Sequence, residues 1–397
     1  MGIKRNIHWF LLVWMSLVSL HLRAQPDAHT RSTKIVLFVP LQLDSIFTKE
    51  QEYRLGRYEF PRAAGGYLEF YQGMVAALDS LKSKPGQIDL RVVDTKGKEN
   101  DLRAMLEKDT LRSANLWLMF GNVADSRLLA SYAHTYEIPL ININLPNDAG
   151  IEDNPHYFMW NSTLATQCEA IYKHLQQHYP LHRIVLVRKK GSMEDRIQDY
   201  LNQYAKKTPG IPITYTTLGV SDTISQEFLQ ANLDSARETI LVGASLDERF
   251  ARTLATTASQ LCTNGYKIEL LGMSTWENVK EFAGNRYRNL ELTIPTPFYY
   301  AKTDELSKWL QTRFQSENFG KISDLYLRGY ELAFLLHPML LTEEVDLQTL
   351  LPGKRKLLFS EIDWQAVRNP QTGKTDYLEN KKIYFVKRLE GVLRSVR

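Results

Sequence analysis

Cysteine is scarce in this chain, with only Cys168 and Cys262 among 397 residues. A small scaffold held together by several disulfides is therefore excluded. One bridge between these two residues, or two separate buried thiols, both stay open, because the geometry does not follow from sequence. An excess of one charge is also missing, since 49 Lys and Arg residues face 45 Asp and Glu residues. We expect no nucleic-acid partner, which would need a concentrated basic face.

The short motifs of several enzyme classes are absent as well. The sequence has no phosphate loop of the G-x-x-x-x-G-K type, no G-x-S-x-G turn, no glycine-rich dinucleotide turn and no H-E-x-x-H zinc motif. His174, His178 and His182 recur every four residues, a spacing that suits a metal on one helix face, but Pro180 interrupts that helix. We therefore predict a protein that is not an enzyme and holds no metal and no cofactor.

Long apolar runs are missing, apart from a short one near the start of the sequence. Lys4 and Arg5 precede about 11 mostly apolar residues at 10–20, and Ala24 follows, which is the order of a secretory signal. The run is too short to span a bilayer, which needs roughly 20 residues. We predict a signal peptide at 1–24, cleaved after Ala24, with no cysteine for a lipid anchor, and a periplasmic protein without a membrane anchor.

Apolar strands and amphipathic helices alternate along most of the chain. Ile35–Val39 is continuously apolar, as is typical of a strand covered on both faces, and the spacing at 61–82 predicts a helix with one apolar stripe. This alternation predicts parallel sheets with right-handed crossovers. Further strands are predicted at 88–93, 115–120, 138–143, 184–187, 211–217, 239–242 and 267–271, and further helices at 99–108, 124–136, 162–178, 192–206, 224–235, 246–261 and 324–341.

Two βαβ blocks, at 34–145 and 182–278, predict an α/β protein with two doubly wound parallel-sheet lobes and a cleft between them. The stretch 146–155 is rich in Pro, Asn and Asp, which favour turns, and we predict the first crossing between the lobes there. Two prolines in 291–300 predict an extended segment rather than a helix.

The remaining part of the chain, 357–396, is predicted to form short strands, and the helix at 324–341 is predicted to pack on the first lobe. The predicted boundaries follow from these elements. The first lobe takes 30–147 and 280–345, and the second takes 155–279 and 346–397.

Six segments, found throughout the part of the chain after the signal, carry a likeness to a known family. They are Tyr71–Met74, Ile88–Thr95, Gly121–Ser126, Ile138–Ile141, Asn154–Phe158 and Leu327–Ala333. Their order resembles that of type I periplasmic binding proteins, most closely the leucine/isoleucine/valine-binding type. The resemblance implies three crossings between the lobes, a small ligand held by hinge closure, and an inner-membrane ABC permease as partner.

The candidate ligand-binding residues lie just past predicted strands or beside them. Open α/β sheets bind ligands at the carboxyl ends of their strands, where helix N-termini present free N–H groups. Asn and Ser at such positions also serve as helix caps and turn residues, and that alternative stays open. The predicted ligand-binding residues are Asn122, Val123, Asn142, Asn144, Tyr67, Ser245, Ser274 and Trp276.

The resemblance also identifies departures from the family pattern. Where amino-acid-binding members carry small hydroxyl residues after the third and fourth strands, this chain carries Asn122 and Asn142. Where those members place an acid against the ligand ammonium, this chain has Ser274, with Glu277 three residues further on as a substitute. Arg188–Lys190 follow a strand directly and suit either an anionic ligand or a solvated surface.

Two functions follow from these observations. The first is a periplasmic solute-binding protein that captures a small polar or anionic, amino-acid-like ligand in the cleft for ABC-type uptake or sensing. The alternative is a cell-envelope interaction or regulatory module that uses the same fold with a vestigial ligand site. The partners are then the ligand and a permease, or an envelope protein, and we expect a monomer or a weak dimer.

Overall fold

The computed structural model describes residues 32–56, 62–82, 84, 87–97, 101–220, 223–318, 320–340, 347–390 and 392–396. The predicted signal peptide lies outside the described residues. Within them, no helix combines the length and the apolar character that a bilayer crossing requires.

The first sheet has eight strands, numbered along the chain. They are β1 (Ser32–Val39), β2 (Gln87–Asp94), β3 (Leu116–Met119), β4 (Leu140–Asn142), β5 (Tyr157–Met159), β11 (Gly353–Lys356), β12 (Glu361–Arg368) and β13 (Thr375–Asn380). Their spatial order is β11-β12-β13-β5-β4-β3-β1-β2. Strands β1 to β5 are parallel, β13 joins β5 in parallel, and β12 and β11 extend that edge in antiparallel pairs.

The second sheet has seven strands. They are β6 (Arg183–Lys189), β7 (Thr216–Val220), β8 (Thr239–Gly243), β9 (Ile268–Leu271), β10 (Glu291–Thr296), β14 (Tyr384–Leu389) and β15 (Val392–Val396). Their order is β15-β14-β10-β9-β8-β6-β7. Strands β6 to β10 are parallel, and β14 and β15 are antiparallel additions at one edge. Two largely parallel sheets with helices confirm the predicted fold class.

Helices connect the parallel strands. They are α1 (Leu43–Ile46), α2 (Arg62–Leu81), α3 (Leu102–Leu106), α4 (Asp109–Arg112), α5 (Val123–Tyr136), α6 (Leu164–His178), α7 (Ser192–Lys207), α8 (Gln226–Asn232), α9 (Glu248–Thr263), α10 (Glu305–Glu317), α11 (Asp324–Leu340) and α12 (Leu347–Leu350). Three short 3-10 helices follow β9, at Ser274–Asn278, Lys280–Ala283 and Asn285–Tyr287.

The first sheet is buried on both faces, which explains its continuous apolar strands. Successive side chains of a strand point to opposite faces. Leu37 and Leu118 accordingly belong to one apolar cluster, while their neighbours Phe38 and Trp117 belong to another on the opposite face. All four residues are fully buried.

Helices α2 and α11 cover one face of the first sheet and touch each other backbone to backbone. A Cβ atom on Gly73 would overlap the carbonyl oxygen of Tyr326, and one on Gly329 would overlap that of Phe70. Only glycine permits this approach. The contact confirms that the helix predicted at 324–341 packs on the first lobe.

The chain passes three times between the two sheets, as the resemblance implied. The passages lie between β5 and α6, between β10 and α10, and between β13 and β14. We predicted the first passage at 146–155. It lies later in the chain, because Tyr157–Met159 still belongs to the first sheet. A strand of three residues is too short to show a period in the sequence.

Strand pairing also differs from the predicted lobe boundaries in the last third of the chain. Glu291–Thr296 lies within 280–345, assigned to the first lobe, but pairs with β9 in the second sheet. Strands β11 to β13 lie within 346–397, assigned to the second lobe, but extend the first sheet. These strands add to the edges of existing sheets, and nothing in their local pattern specifies which sheet they join.

Candidate ligand site between the two sheets

The N-terminus of α5 forms one wall of the expected cleft. The side chain of Asn122 caps this helix, since its Oδ1 accepts the Asp125 N–H at 3.0 Å, and its Nδ2 donates to Asp125 Oδ2 at 3.1 Å. Lys96 forms an ion pair with the same carboxylate at 3.0 Å. Asn122 and Val123 remain exposed, so this helix terminus is open to a ligand while its charges are balanced locally.

Asn142 and Asn144 hold the adjacent loop together instead of facing a ligand. Asn142 is fully buried, donates to the Tyr157 hydroxyl at 2.8 Å and accepts the N–H groups of Asn144 and Leu145. Asn144 accepts the Gly121 N–H at 3.1 Å and donates to the Gly121 carbonyl at 3.2 Å. Both amides are thus used within the first half, as the turn alternative allowed.

Tyr67 sits near the start of α2, against the end of β3. Its ring meets Phe120 edge-on, with the ring centroids 5.2 Å apart, and it is half-buried. The structure therefore places Tyr67 against Phe120, two residues before Asn122 in the chain, with part of its surface available.

In the second half, Ser245 and Trp276 belong to the core. Ser245 is fully buried, donates from Oγ to Glu194 at 2.6 Å and accepts the Asp247 N–H at 3.2 Å. The Trp276 ring is also fully buried, lies against Gly243, and donates from Nε1 to the Ser245 carbonyl at 2.8 Å. Neither side chain can contact a ligand without a rearrangement of this loop.

Ser274 and Glu277 remain as second-half candidates. Ser274 is partly exposed and donates to Gln167 Oε1 at 2.7 Å. Glu277 is exposed, and partial loss of hydration, with the Asp324 carboxylate nearby, raises the pKa of its carboxyl. The Thr296 hydroxyl and the guanidinium groups of Arg328 and Arg388 oppose that rise in pKa.

Arg328, on α11 of the first half, is close enough to Glu277 for its charge to lower the pKa of that carboxyl. Its guanidinium stacks on the Phe298 ring, 3.4 Å from the centroid, and is almost fully buried. Within the described part of the chain, its Nε has no hydrogen-bond partner. Glu277 of the second half and the buried Arg328 of the first therefore carry opposite charges near the passage from β10 to α10, and the Asp324 carboxylate also acts on Glu277.

A buried network supports Arg328 from behind. Tyr300 and Ser360 each donate to Glu331 Oε1 at 2.7 Å, and the Phe359 N–H donates to its other oxygen at 3.2 Å. Burial raises the pKa of Glu331, and these hydrogen bonds and Arg328 act in the opposite direction. Burial and the adjacent Glu331 raise the pKa of Tyr300 well above its ordinary value. The sequence analysis did not predict this network. Two charged residues, Arg328 and Glu331, in an otherwise apolar helix could have indicated it.

The basic run at 188–190 is neutralised mostly within the second half. Arg188 pairs with Asp195 and donates to Gln198 on α7, and Lys189 pairs with Asp247. Lys190 is exposed. We therefore interpret this run as a solvated edge of the second sheet rather than as a ligand contact.

The histidines and cysteines do not form a joint site. His174 and His178 lie together, with ring centroids 4.5 Å apart, whereas His182 turns to Glu238, with Nε2 at 3.5 Å from Oε2. Across the described ranges, no three metal-ligating side chains cluster. Both thiols are free, and burial raises the pKa of Cys168 to about 12. The open choice between a bridge and separate thiols is thus decided for separate thiols.

Solved structures share this architecture. A branched-chain amino acid ABC transporter periplasmic ligand-binding protein from Burkholderia xenovorans has 11% identity, a TM-score of 0.61, and coverage of 92% of this chain and 95% of its own. An ABC transporter substrate-binding protein from Desulfitobacterium hafniense, in complex with leucine, has 12% identity, a TM-score of 0.57, and coverage of 92% and 100%. Full-length LpoA from Haemophilus influenzae has 11% identity, a TM-score of 0.58, and coverage of 92% and 59%.

These likenesses confirm the type I periplasmic-binding fold that the sequence resemblance implied. Neither a protein-family model nor a curated protein sequence matches the chain. At such low identity the shared feature is the fold, and the ligand must be argued from the site itself.

Proposed function

We propose that the chain is an extracytoplasmic solute-binding protein that captures a small, amino-acid-like ligand between its halves and delivers it to an ABC-type permease or a sensor. The observation that carries this proposal is the pair of opposite charges, Glu277 and Arg328, contributed by different halves beside a passage of the chain. A zwitterionic ligand matches such a pair, since its ammonium is attracted to a carboxylate and its carboxylate to a guanidinium.

The exposed residues of the first-half rim complete the proposed site. The open N-terminus of α5 at Asn122 and Val123 offers positive dipole potential to a carboxylate, and Tyr67 offers an apolar face beside it. Ser274 adds a hydroxyl from the second half. The role is binding rather than catalysis, and a ligand that contacts both halves would favour their closed arrangement.

Thermal unfolding against a panel of amino acids and small organic acids tests the proposal. A ligand that binds only the folded protein adds about 2.7 kcal/mol at a concentration one hundred times its Kd, and it raises Tm with concentration. We expect at least one amino acid to do so. The Glu277→Gln variant keeps the shape of the side chain and should lose most of that shift.

Glu317→Gln is the matched control, because Glu317 is exposed at the C-terminal end of α10, far along the helix from the passage that holds the charge pair, and forms an ion pair with Arg313 of its own helix. It should retain the full shift in Tm. If no amino acid or organic acid raises Tm, the proposal fails, and the envelope interaction module becomes the hypothesis to pursue.

A further inference from the structure

A second concave site lies where the two sheets approach each other by their antiparallel edges. It is a cavity of about 690 Å³ between the last turns of α6, the β14–β15 edge of the second sheet and the β11–β12 edge of the first. Segments of two passages between the sheets, at Tyr299 and at 381–383, also line this cavity, and we call it the hinge-side cavity for that reason. None of the eight residues predicted for ligand binding lines it.

Lysines dominate the charged lining of this hinge-side cavity. Three of them have carboxylate partners: Lys173 with Glu169 at 2.7 Å, Lys381 with Glu379 at 2.5 Å, and Lys382 with Glu361 at 2.6 Å. The cavity therefore gains no net charge from these pairs.

Lys354 and Lys356 supply the excess positive charge. Both are exposed, and as alternate residues of β11 they share the face that lines the cavity. Asp363, across the strand pair from Lys354, is the remaining carboxylate of the lining, and it is buried and accepts from Gln365 at 2.8 Å. Five lysines against the four carboxylates Glu169, Glu361, Asp363 and Glu379 leave one excess positive charge, and Glu361 lies near Lys354 and Lys356 as well as Lys382.

Aromatic and aliphatic groups form the other part of the lining. The rings of Tyr299 and Tyr384 have centroids 6.3 Å apart, and His174 stacks on Phe385 at 3.9 Å. His174 is almost fully buried, and within the described residues its Nε2 has no hydrogen-bond partner. Leu358 is 44% exposed at the same place, an apolar side chain that an occupant would cover.

We propose that this hinge-side cavity is a second binding site, for a small organic anion that carries a phosphate or carboxylate on an aromatic or apolar body. The anion lies against Lys354 and Lys356, and the body packs between Leu358 and the Tyr299–Tyr384 pair. The occupant contacts both halves, since β11 belongs to the first sheet and β14 to the second. The cavity shares Phe359 and Ser360 with the Glu331 network that supports Arg328, but neither Glu277 nor Arg328 lines it.

Calorimetric titration with 1-naphthyl phosphate tests this site, with 1-naphthol as the uncharged counterpart. We expect saturable binding of the phosphate, at least five-fold weaker binding of the naphthol, and weakening of phosphate binding by salt. The double variant Lys354→Ala/Lys356→Ala should weaken phosphate binding at least five-fold. Because both side chains are exposed on an edge strand, its thermal unfolding should match that of the parent protein.

Lys206→Ala/Lys207→Ala is the matched control, since these two exposed lysines end α7, away from the cavity. It should bind naphthyl phosphate as the parent does, and so should Glu277→Gln. Equal binding by the Lys354/Lys356 double variant, loss of binding in Glu277→Gln, or no binding at millimolar concentrations would each overturn the second site, whatever the outcome for the amino-acid ligand.

Discussion

The two halves share an architecture but use glycine in opposite ways. In the first half, Gly73 and Gly329 let two helices meet backbone to backbone over the sheet. In the second half, Gly243 and Gly272 end neighbouring strands and leave room for the Trp276 ring, which would overlap a Cβ at either position. These glycines of the first half therefore serve helix packing beside the sheet, and those of the second serve ring packing at the carboxyl ends of β8 and β9, the edge where a ligand is expected.

The polar loops that follow the strands also differ between the two halves. The first half joins its loops with neutral amides and leaves Asn122 exposed, whereas the second half buries a carboxylate, Glu194, against Ser245. Equivalent positions in a duplicated fold thus need not have equivalent roles. We expect ligand contacts to depend on the rim of the first half and on Ser274 and Glu277 of the second.

The largest effect should come from removing the indole. Trp276→Ala leaves a cavity between two strand ends and an unpaired Ser245 carbonyl, and it should lower the free energy of unfolding by about 3–5 kcal/mol. Urea unfolding followed by circular dichroism measures it. Trp309→Ala is the control, since Trp309 is 49% exposed, and should cost less than about 1 kcal/mol. Equal losses in the two variants would contradict the comparison.

The corresponding test of the first half is Gly329→Ala. The new methyl group would overlap the Phe70 carbonyl and force α2 and α11 apart, at a cost of about 2–4 kcal/mol. Gly219→Ala is the control, because no atom lies within 4 Å of its added Cβ, and urea unfolding should show little change. A tolerated Gly329→Ala would mean that the helix contact adjusts easily.

Ser245→Ala should have an intermediate effect. It removes the hydroxyl that donates to the buried Glu194 carboxylate, and an unsatisfied buried acceptor costs about 1–3 kcal/mol. Ser131→Ala removes an exposed hydroxyl that donates to the Leu128 carbonyl of its own helix, and should change little. Chemical denaturation compares the pair, and a neutral Ser245→Ala would show that Glu194 finds another donor.

The last effect is a dependence on pH, which is smallest near neutral pH and grows as the solution is acidified. Burial, with His178 and Lys387 nearby, lowers the pKa of His174 from 6.5 to about 3. The unfolded chain binds a proton at this histidine more readily than the folded protein does. The stability that neutral His174 contributes is therefore fully present above pH 6.5 and is lost as pH falls toward 3. This group contributes up to about 1.4 kcal/mol per pH unit to the slope.

His174→Gln should therefore flatten the dependence of unfolding free energy on pH between 6.5 and 4.5, measured by urea titrations at several pH values. His134→Gln, at an exposed position, should keep the slope of the parent protein. An unchanged slope in His174→Gln would show that this histidine is protonated in the folded state.

The regular elements were largely predictable, because their signals are local. The spacing around Leu68 and Val75 located α2, and the apolar run at Ile35 located β1. Which strands pair with each other was harder to predict. Tyr157–Met159 is too short for a period, and Lys354–Lys356 reads as a charged surface run although it forms an edge strand of the first sheet.

The candidate site was only partly predictable, for a similar reason. Sequence placed Ser245 and Trp276 in loops that follow strands, and Asn142 proved to be the last residue of β4, but sequence could not tell whether a side chain turns toward a ligand or back into its own loop. That direction depends on partners far along the chain, such as Glu194 for Ser245. Arg328 was not predicted as a site residue, because its relation to Glu277 depends on how α11 packs in the folded protein.

The late strands have a consequence for how the chain is made. Leu378 pairs with Phe158 and Val386 with Ile294, so both sheets receive strands from the segment 375–389. A ribosome must extrude nearly all of the first 390 residues before either sheet can be finished, and such distant pairings slow folding. Until then the edges of β5 and β10 stay uncovered, and uncovered strand edges of this kind favour association with other chains.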